Sequence, residues 1–249
     1  MRYMGGKGRI AKQLASTILE FSDKRGVYVE PFMGGGAMSE QMVPHFEEAY
    51  LSDAHTDLIM MWEAVANQGW EPPTEVSEER YKALRNADSS PERGFVGMGG
   101  SFGGKWFGGY ARGGFQASGE PRNHQAESAR AVKRIAQRIE GSNIYVADFA
   151  QLPAVPELPV IYCDPPYAGT TTYSTEAFDH EHFWAKAEEW ANIGAHVFVS
   201  EYAAPAGWIA VWEKPLVVQT KRGDQNRGIA TEKLFVREGV FNLEGRTAA

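Results

Sequence analysis

The chain has 249 residues, of which 43% are hydrophobic and 12% aromatic, and a formal net charge of −7. That is ample for one sizeable core, and the acidic balance taken alone argues against a nucleic-acid partner. One cysteine, Cys163, excludes an internal disulfide and a cysteine-cluster metal site, and six scattered histidines offer no ligand spacing, so no metal is expected.

From the N-terminus, MRYMGGKGRI carries no apolar signal segment, and no later run of about 18 apolar residues exists, which predicts a cytosolic protein without a membrane span. Near-continuous apolar runs then recur as strand candidates: Val27–Pro31, Ala49–Asp53, Asn143–Asp148, Val160–Asp164, His196–Glu201, Trp208–Thr220 and Glu232–Glu238. Helical patterns cover Lys7–Phe21, Thr56–Asn67, Glu127–Glu140 and Asp179–Ile193. This alternation predicts an α/β doubly wound, mostly parallel sheet, with the last two strands forming an antiparallel hairpin at one edge. The strand signal disappears between Gly69 and about Ser142, which reads as an insertion: residues 69–142 are set apart from a core of 1–68 and 143–249. The insertion contains GMGGSFGGKWFGGYARGGFQASG, where interleaved aromatics argue against disorder and glycine density suggests close approach of backbone to a ligand. Between Ser101 and Glu140 the basic residues Lys105, Arg112, Arg122, Arg130, Lys133, Arg134 and Arg138 outnumber the acids. That suits either a phosphate-docking face or the solvated side of an amphipathic helix.

Two stretches carry chemistry. In YVEPFMGGGA a strand ends at Glu30 and turns through Gly34, Gly35 and Gly36, which lack Cβ atoms and let a ligand approach the backbone. About twenty residues on, Asp53 ends the second strand, where such an acid reaches ribose hydroxyls. The spacing departs from the dinucleotide fingerprint, and Glu30 suits a cofactor with a positive end better than a pyrophosphate. In VIYCDPPYAG, Asp164 ends the fourth strand and Pro165 and Pro166 stiffen the exit toward Tyr167. A carboxylate, a backbone carbonyl and an aromatic face within four residues match the amino group and ring of a planar base.

The DPPY motif at Asp164–Tyr167, the upstream Phe32-Met33-Gly34-Gly35-Gly36, and Tyr3-Met4-Gly5-Gly6-Lys7 resemble the Dam-type adenine-N6 DNA methyltransferases, alpha group in motif order. The resemblance implies a Rossmann-like methyltransferase sheet and transfer of methyl from S-adenosylmethionine to N6 of an adenine flipped out of double-stranded DNA. It implies that Tyr3, Met4 and Lys7 lie against the methionine end of the cofactor, and that Glu30 and the Phe32–Gly36 turn meet its amino and carboxylate groups. Asp53 would hold the ribose, and Asp148 and Phe149 would bracket the cofactor's adenine. Asp164 and the Pro165 carbonyl would accept from N6, Pro166 would keep the corner rigid, and Tyr167 would stack on the target base.

Lys105, Arg112, Arg222, Asn226 and Arg227 are the DNA-contact candidates, the last three in the polar loop Lys221–Gly228, which also reads as an ordinary hairpin loop. The insertion is short for the family. Phe115–Gly119 stands where an asparagine- and proline-containing segment is expected, and Ser200-Glu201 replaces Ser-Asn, so a short or relaxed target is expected. A compact, phage-like or restriction-modification enzyme acting as a monomer fits this picture. Cytosine N4, RNA adenine, a catalytically silent DNA-binding module and NAD binding are the competing readings; intact DPPY opposes the silent module and the missing fingerprint opposes NAD.

Overall fold

The alternation becomes seven strands and seven α-helices among the described residues. The computed structural model describes residues 1, 3–115, 119, 122–151, 157–167, 178–218 and 228–241. In chain order these are α1 (Ala11–Phe21), β1 (Val27–Glu30), α2 (Ser39–Met42), β2 (Glu48–Asp53), α3 (Thr56–Asn67), α4 (Glu78–Leu84), α5 (Pro91–Gly99), α6 (His124–Ile139), β3 (Asn143–Val146), β4 (Val160–Cys163), α7 (His180–Asn192), β5 (His196–Glu201), β6 (Trp208–Val218) and β7 (Gly228–Arg237). The chain divides into two compact units, Met1–Lys12 with Glu30–Leu152, and Gln13–Val29 with Pro153–Ala249. No described helix is long and apolar enough to cross a membrane.

In the first unit β2 and β3 pair in parallel, Tyr50 opposite Asn143 through Asp53 opposite Val146. Helix α3 packs on β3, α5 and α6 around fully buried Leu58, Met61, Trp62, Phe95, Val132 and Ile139. Each long helix of this unit starts on a side-chain acceptor for an otherwise unpaired N–H: His55 for α3, Ser90 for α5 and Asn123 for α6. In α6 the buried positions Ala129, Val132, Ala136 and Ile139 recur at helical spacing, and Lys133, Arg134 and Arg138 fall on the other side. Those cations are engaged within the unit. Lys133 meets Glu71 at 3.0 Å, Arg134 meets Glu40 at 2.7 Å, and Arg138 donates to the Glu40 carbonyl at 2.7 Å. Arg122 pairs with Glu127 at 2.7 Å, so the amphipathic-helix reading of this basic stretch accounts for most of its charge.

The glycine-rich stretch is braced between Gly97 and Arg112. Gly94, Gly97 and Gly99 lie inside α5, where a Cβ at Gly94 would stand 2.0 Å from the Asp57 carbonyl oxygen and one at Gly97 would stand 2.2 Å from the Trp106 ring. The absent side chains admit neighbouring backbone and rings of the protein itself. Beyond α5, Ser101 bridges Tyr110, the Phe102 N–H donates to the Gly109 carbonyl at 2.8 Å, and the Tyr81 hydroxyl joins Ser101 Oγ at 2.7 Å and accepts from the Gly109 N–H at 3.1 Å. Phe107 is buried while Phe102 stands 77% exposed at the turn.

In the second unit β1, β4 and β5 run parallel, with Val29 opposite Ile161 and Tyr162 opposite Phe198. Every residue of β1 and β4 is buried, as continuous apolar strands covered on both faces require. β7 is antiparallel to both β5 and β6, with an irregularity between Ala210 and Trp212. The strand order is thus β3-β2 in one unit and β1-β4-β5-β7-β6 in the other, mostly parallel with the expected antiparallel edge. Helix α7 covers β5 with Phe183, Ala187 and Trp190.

Candidate active site

After β1 the chain turns through Phe32–Gly36. Its backbone is tied on both sides: the Met33 N–H donates to the Ser52 carbonyl at 2.9 Å, and the Gly36 N–H donates to the Met33 carbonyl at 2.9 Å. Asp53 Oδ2 accepts from the Gly34 N–H at 2.9 Å, and Trp62 Nε1 donates to the Gly34 carbonyl at 3.0 Å. Gly34 and Gly36 hold φ of 47° and 71°, a left-handed backbone that costs a side chain about 1–2 kcal/mol. A Cβ at Gly35 would stand 2.8 Å from Tyr3 Cβ, and one at Gly36 would stand 3.1 Å from both Trp62 and Ile135. The turn is therefore shaped by its own neighbours, with Tyr3 lying directly against it.

Around it stand further sequence candidates. Glu30 is 2% exposed, and its Oε2 accepts from Ser39 Oγ at 2.8 Å. Phe32 and Phe149 stack with centroids 5.5 Å apart and planes at 25°. Asp53 Oδ1 accepts from the His55 N–H at 2.9 Å, so both of its oxygens hold backbone donors while lone-pair positions remain. Burial pushes the Asp53 carboxyl up, and the His55 and Gly34 N–H groups pull it back. Lys7 is buried, and its carbonyl accepts from the Ile10 and Ala11 N–H groups as α1 begins. Met4 is joined through its N–H to the Gly104 carbonyl at 3.2 Å. Asp148 is exposed, with Oδ1 accepting from the Ala150 N–H at 2.9 Å.

The second unit builds a different corner. Asp164 follows the last residue of β4 and is half-buried, Pro165 is buried, and Pro166 and Tyr167 are half-buried. The Tyr167 hydroxyl donates to Oε1 of Glu232, a 4% exposed residue of β7. The Tyr202 ring meets the Tyr167 ring edge-on, 4.6 Å between centroids and 79° between planes. Burial pushes the Tyr167 phenol well above its usual range, and the Asp164 and Glu232 carboxylates push it further. Below the corner the Tyr162 hydroxyl and Ser200 Oγ join at 2.9 Å. Glu201, where the family pattern has asparagine, is buried and accepts from the Tyr202 N–H at 3.1 Å.

Two residues central to this geometry escaped the sequence reading. Trp62 has the signature of an ordinary core position in an apolar helix, and Glu232 that of a solvated strand end. Of the DNA-contact candidates, Lys105 is exposed and Arg112 pairs with Glu78 at 2.7 Å. Arg222, Asn226 and Arg227 lie outside the described residues.

The glycine turn, Asp53 and the N-terminal Tyr3-Met4-Gly5-Gly6-Lys7 all fall within residues 3–103, the segment matched by the family model of the D12 class N6 adenine-specific DNA methyltransferases. Over this segment the chain is similar to that family. The match covers about two-fifths of the chain and ends before Asp164. Two solved structures are similar in shape over longer spans. One is an rRNA methylase from Streptococcus thermophilus, 9% identical, covering 90% of this chain and 94% of that one, with a TM-score of 0.39. The other is SMU.472 in complex with SAH, 13% identical, covering 93% of this chain and 53% of that one, with a TM-score of 0.36. No curated protein matches the sequence of this chain.

Proposed function

We propose that the chain is an adenine-specific DNA methyltransferase that moves the methyl group of S-adenosylmethionine to N6 of an adenine extruded from double-stranded DNA. The observation that carries this reading is the corner at the end of β4, where a half-buried carboxylate precedes two prolines and a tyrosine whose hydroxyl is fixed. An exocyclic amino nitrogen is a poor nucleophile because its lone pair is delocalised into the ring. Asp164 and the Pro165 carbonyl, accepting its two protons, favour a pyramidal nitrogen with a localised lone pair, and Tyr167 offers the ring a stacking surface. The amino nitrogen sheds a proton that becomes acidic once its new bond to carbon forms, so alignment supplies the catalysis and no strong base is required. The target nitrogen is shielded in a duplex, hence the extrusion, which costs a few kcal/mol of stacking and pairing.

The donor set of the first unit fits the cofactor. The buried Glu30 carboxylate suits its ammonium group, and Tyr3, Met4 and Lys7 flank the same end. Tyr3 packs against the Gly34–Gly35 backbone where Cβ atoms would stand, which places its ring beside the turn that meets the cofactor in this reading. Asp53 keeps acceptor positions for ribose hydroxyls, and Phe32, Phe149 and Asp148 suit an adenine. The bound cofactor supplies an activated methyl on sulfur. Residues 69–142 serve as the recognition region, with Lys105 and Arg112 as its phosphate contacts; Arg222, Asn226 and Arg227 are separate DNA-contact candidates, and the enzyme acts as a monomer in the cytoplasm of a bacterial or phage-infected cell.

Incubation with labelled S-adenosylmethionine and unmethylated duplex DNA, followed by nucleoside mass spectrometry, tests the reading. N6-methyladenine is expected. Label only in N4-methylcytosine, or only in RNA supplied in parallel, overturns it.

A further inference from the structure

We propose that Glu232 is a positioning residue for Tyr167, setting the angle at which that ring receives the target base. The inference rests on the adenine-N6 reading above and concerns only the second unit. A carboxylate on a buried strand is costly unless hydrogen-bonded. Glu232 is 4% exposed on β7, and the Tyr167 hydroxyl donates to its Oε1. The carboxylate is by far the stronger acid of the two, so the proton stays on the phenol and the bond is charge-assisted. Two restraints then act on one ring. Its hydroxyl is anchored 65 positions along the chain, and its edge is met by Tyr202 at 4.6 Å and 79°. Without the first restraint the far end of the ring could swing, and without the second the ring could turn about its long axis, whereas a stacking platform must present a fixed plane. Asp164, directly at the end of β4, shares the stiff two-proline exit with Tyr167, so the ring's plane is set relative to the carboxylate that receives the amino group.

The test is a double-mutant cycle on the full chain with near-isosteric changes, Tyr167→Phe, Glu232→Gln and the two combined. Readouts are kcat and KM for unmethylated duplex DNA, and affinity for S-adenosylmethionine. Formation of N6-methyladenine by the unaltered enzyme is measured first, since its absence removes the parent reading, whereas the cycle judges Glu232 alone. Glu232→Gln replaces a charged acceptor by a neutral one and should lower kcat about fivefold with cofactor affinity unchanged. In the Tyr167→Phe background the same change should have no effect, because the hydroxyl it acts through is gone. Equal losses in both backgrounds, or no loss in the unaltered background, overturn the assignment. Thermal unfolding of all four proteins keeps the comparison to folded enzyme.

Discussion

The glycine turn of the first unit and the acidic corner of the second are held in opposite ways. At the turn, side chains pin backbone: Asp53 takes the Gly34 N–H, Trp62 binds the Gly34 carbonyl, and Tyr3 lies where side chains would stand. At the corner, backbone stiffness comes from Pro165 and Pro166, and a side chain is pinned by another side chain, Tyr167 by Glu232. The difference teaches where damage should appear. A turn whose backbone is buried in contacts should lose stability when altered, and a corner whose proposed catalytic residues are half-buried should lose activity instead.

The largest effect should follow Asp164→Ala, which removes an acceptor and leaves the prolines in place. Methyl transfer should drop by about 10²-fold or more, with the circular dichroism spectrum and melting temperature retained. Residual transfer near the original rate would dissolve the contrast. Gly36→Ala should do the reverse. It forces a side chain into φ of 71° and against Trp62 and Ile135, so unfolding free energy measured in urea should fall by about 2–3 kcal/mol. A stability unchanged by that substitution would mean the turn yields more easily than its contacts imply.

A subtler probe of the turn uses pH. His55 caps α3, the helix that carries Trp62, and burial lowers its pKa below the usual imidazole range. The unfolded chain therefore binds a proton more readily than the folded one. The resulting penalty is absent above the ordinary pKa near 6.5 and grows as pH falls through and below it. His55→Asn keeps an acceptor for the cap, so its melting temperature should fall less between pH 7.5 and 5 than that of the unaltered protein. Parallel curves would remove His55 from the account. The smallest effect belongs to Arg112→Ala. Its exposed pair with Glu78 contributes little to stability, but the salt dependence of DNA binding should lose about one unit of slope if it contacts a phosphate. An unchanged slope would exclude that contact.

Much of this architecture was legible in sequence because burial on both faces writes itself as uninterrupted apolar runs. VYVE, VIYC and HVFVSE became β1, β4 and β5, and Asp164 fell at a strand end as its motif implies. Asp53 drew notice by its distance from the glycines; in the structure its Oδ2 holds the Gly34 N–H and its Oδ1 the His55 N–H. Trp62 and Glu232 were hidden for a physical reason. Each acts through a partner far along the chain, 28 positions away for Trp62 and Gly34, and 65 for Glu232 and Tyr167, and local pattern carries no trace of such pairings. The glycine density of the stretch after Gly94 suggested close approach to a ligand, and at Gly94 and Gly97 the structure gives it another reason. The approaching groups are Asp57 and Trp106 of the protein.

The loop from Ser101 to Tyr110 is cross-braced before anything touches it, since Tyr81 grips both of its strands and Phe107 roots it in the interior. A surface element that arrives already shaped surrenders little conformational freedom on docking. Whatever macromolecule meets the exposed Phe102 and its neighbour Lys105 would meet a stamp rather than a thread, and association there should be limited by encounter rather than by folding of the loop.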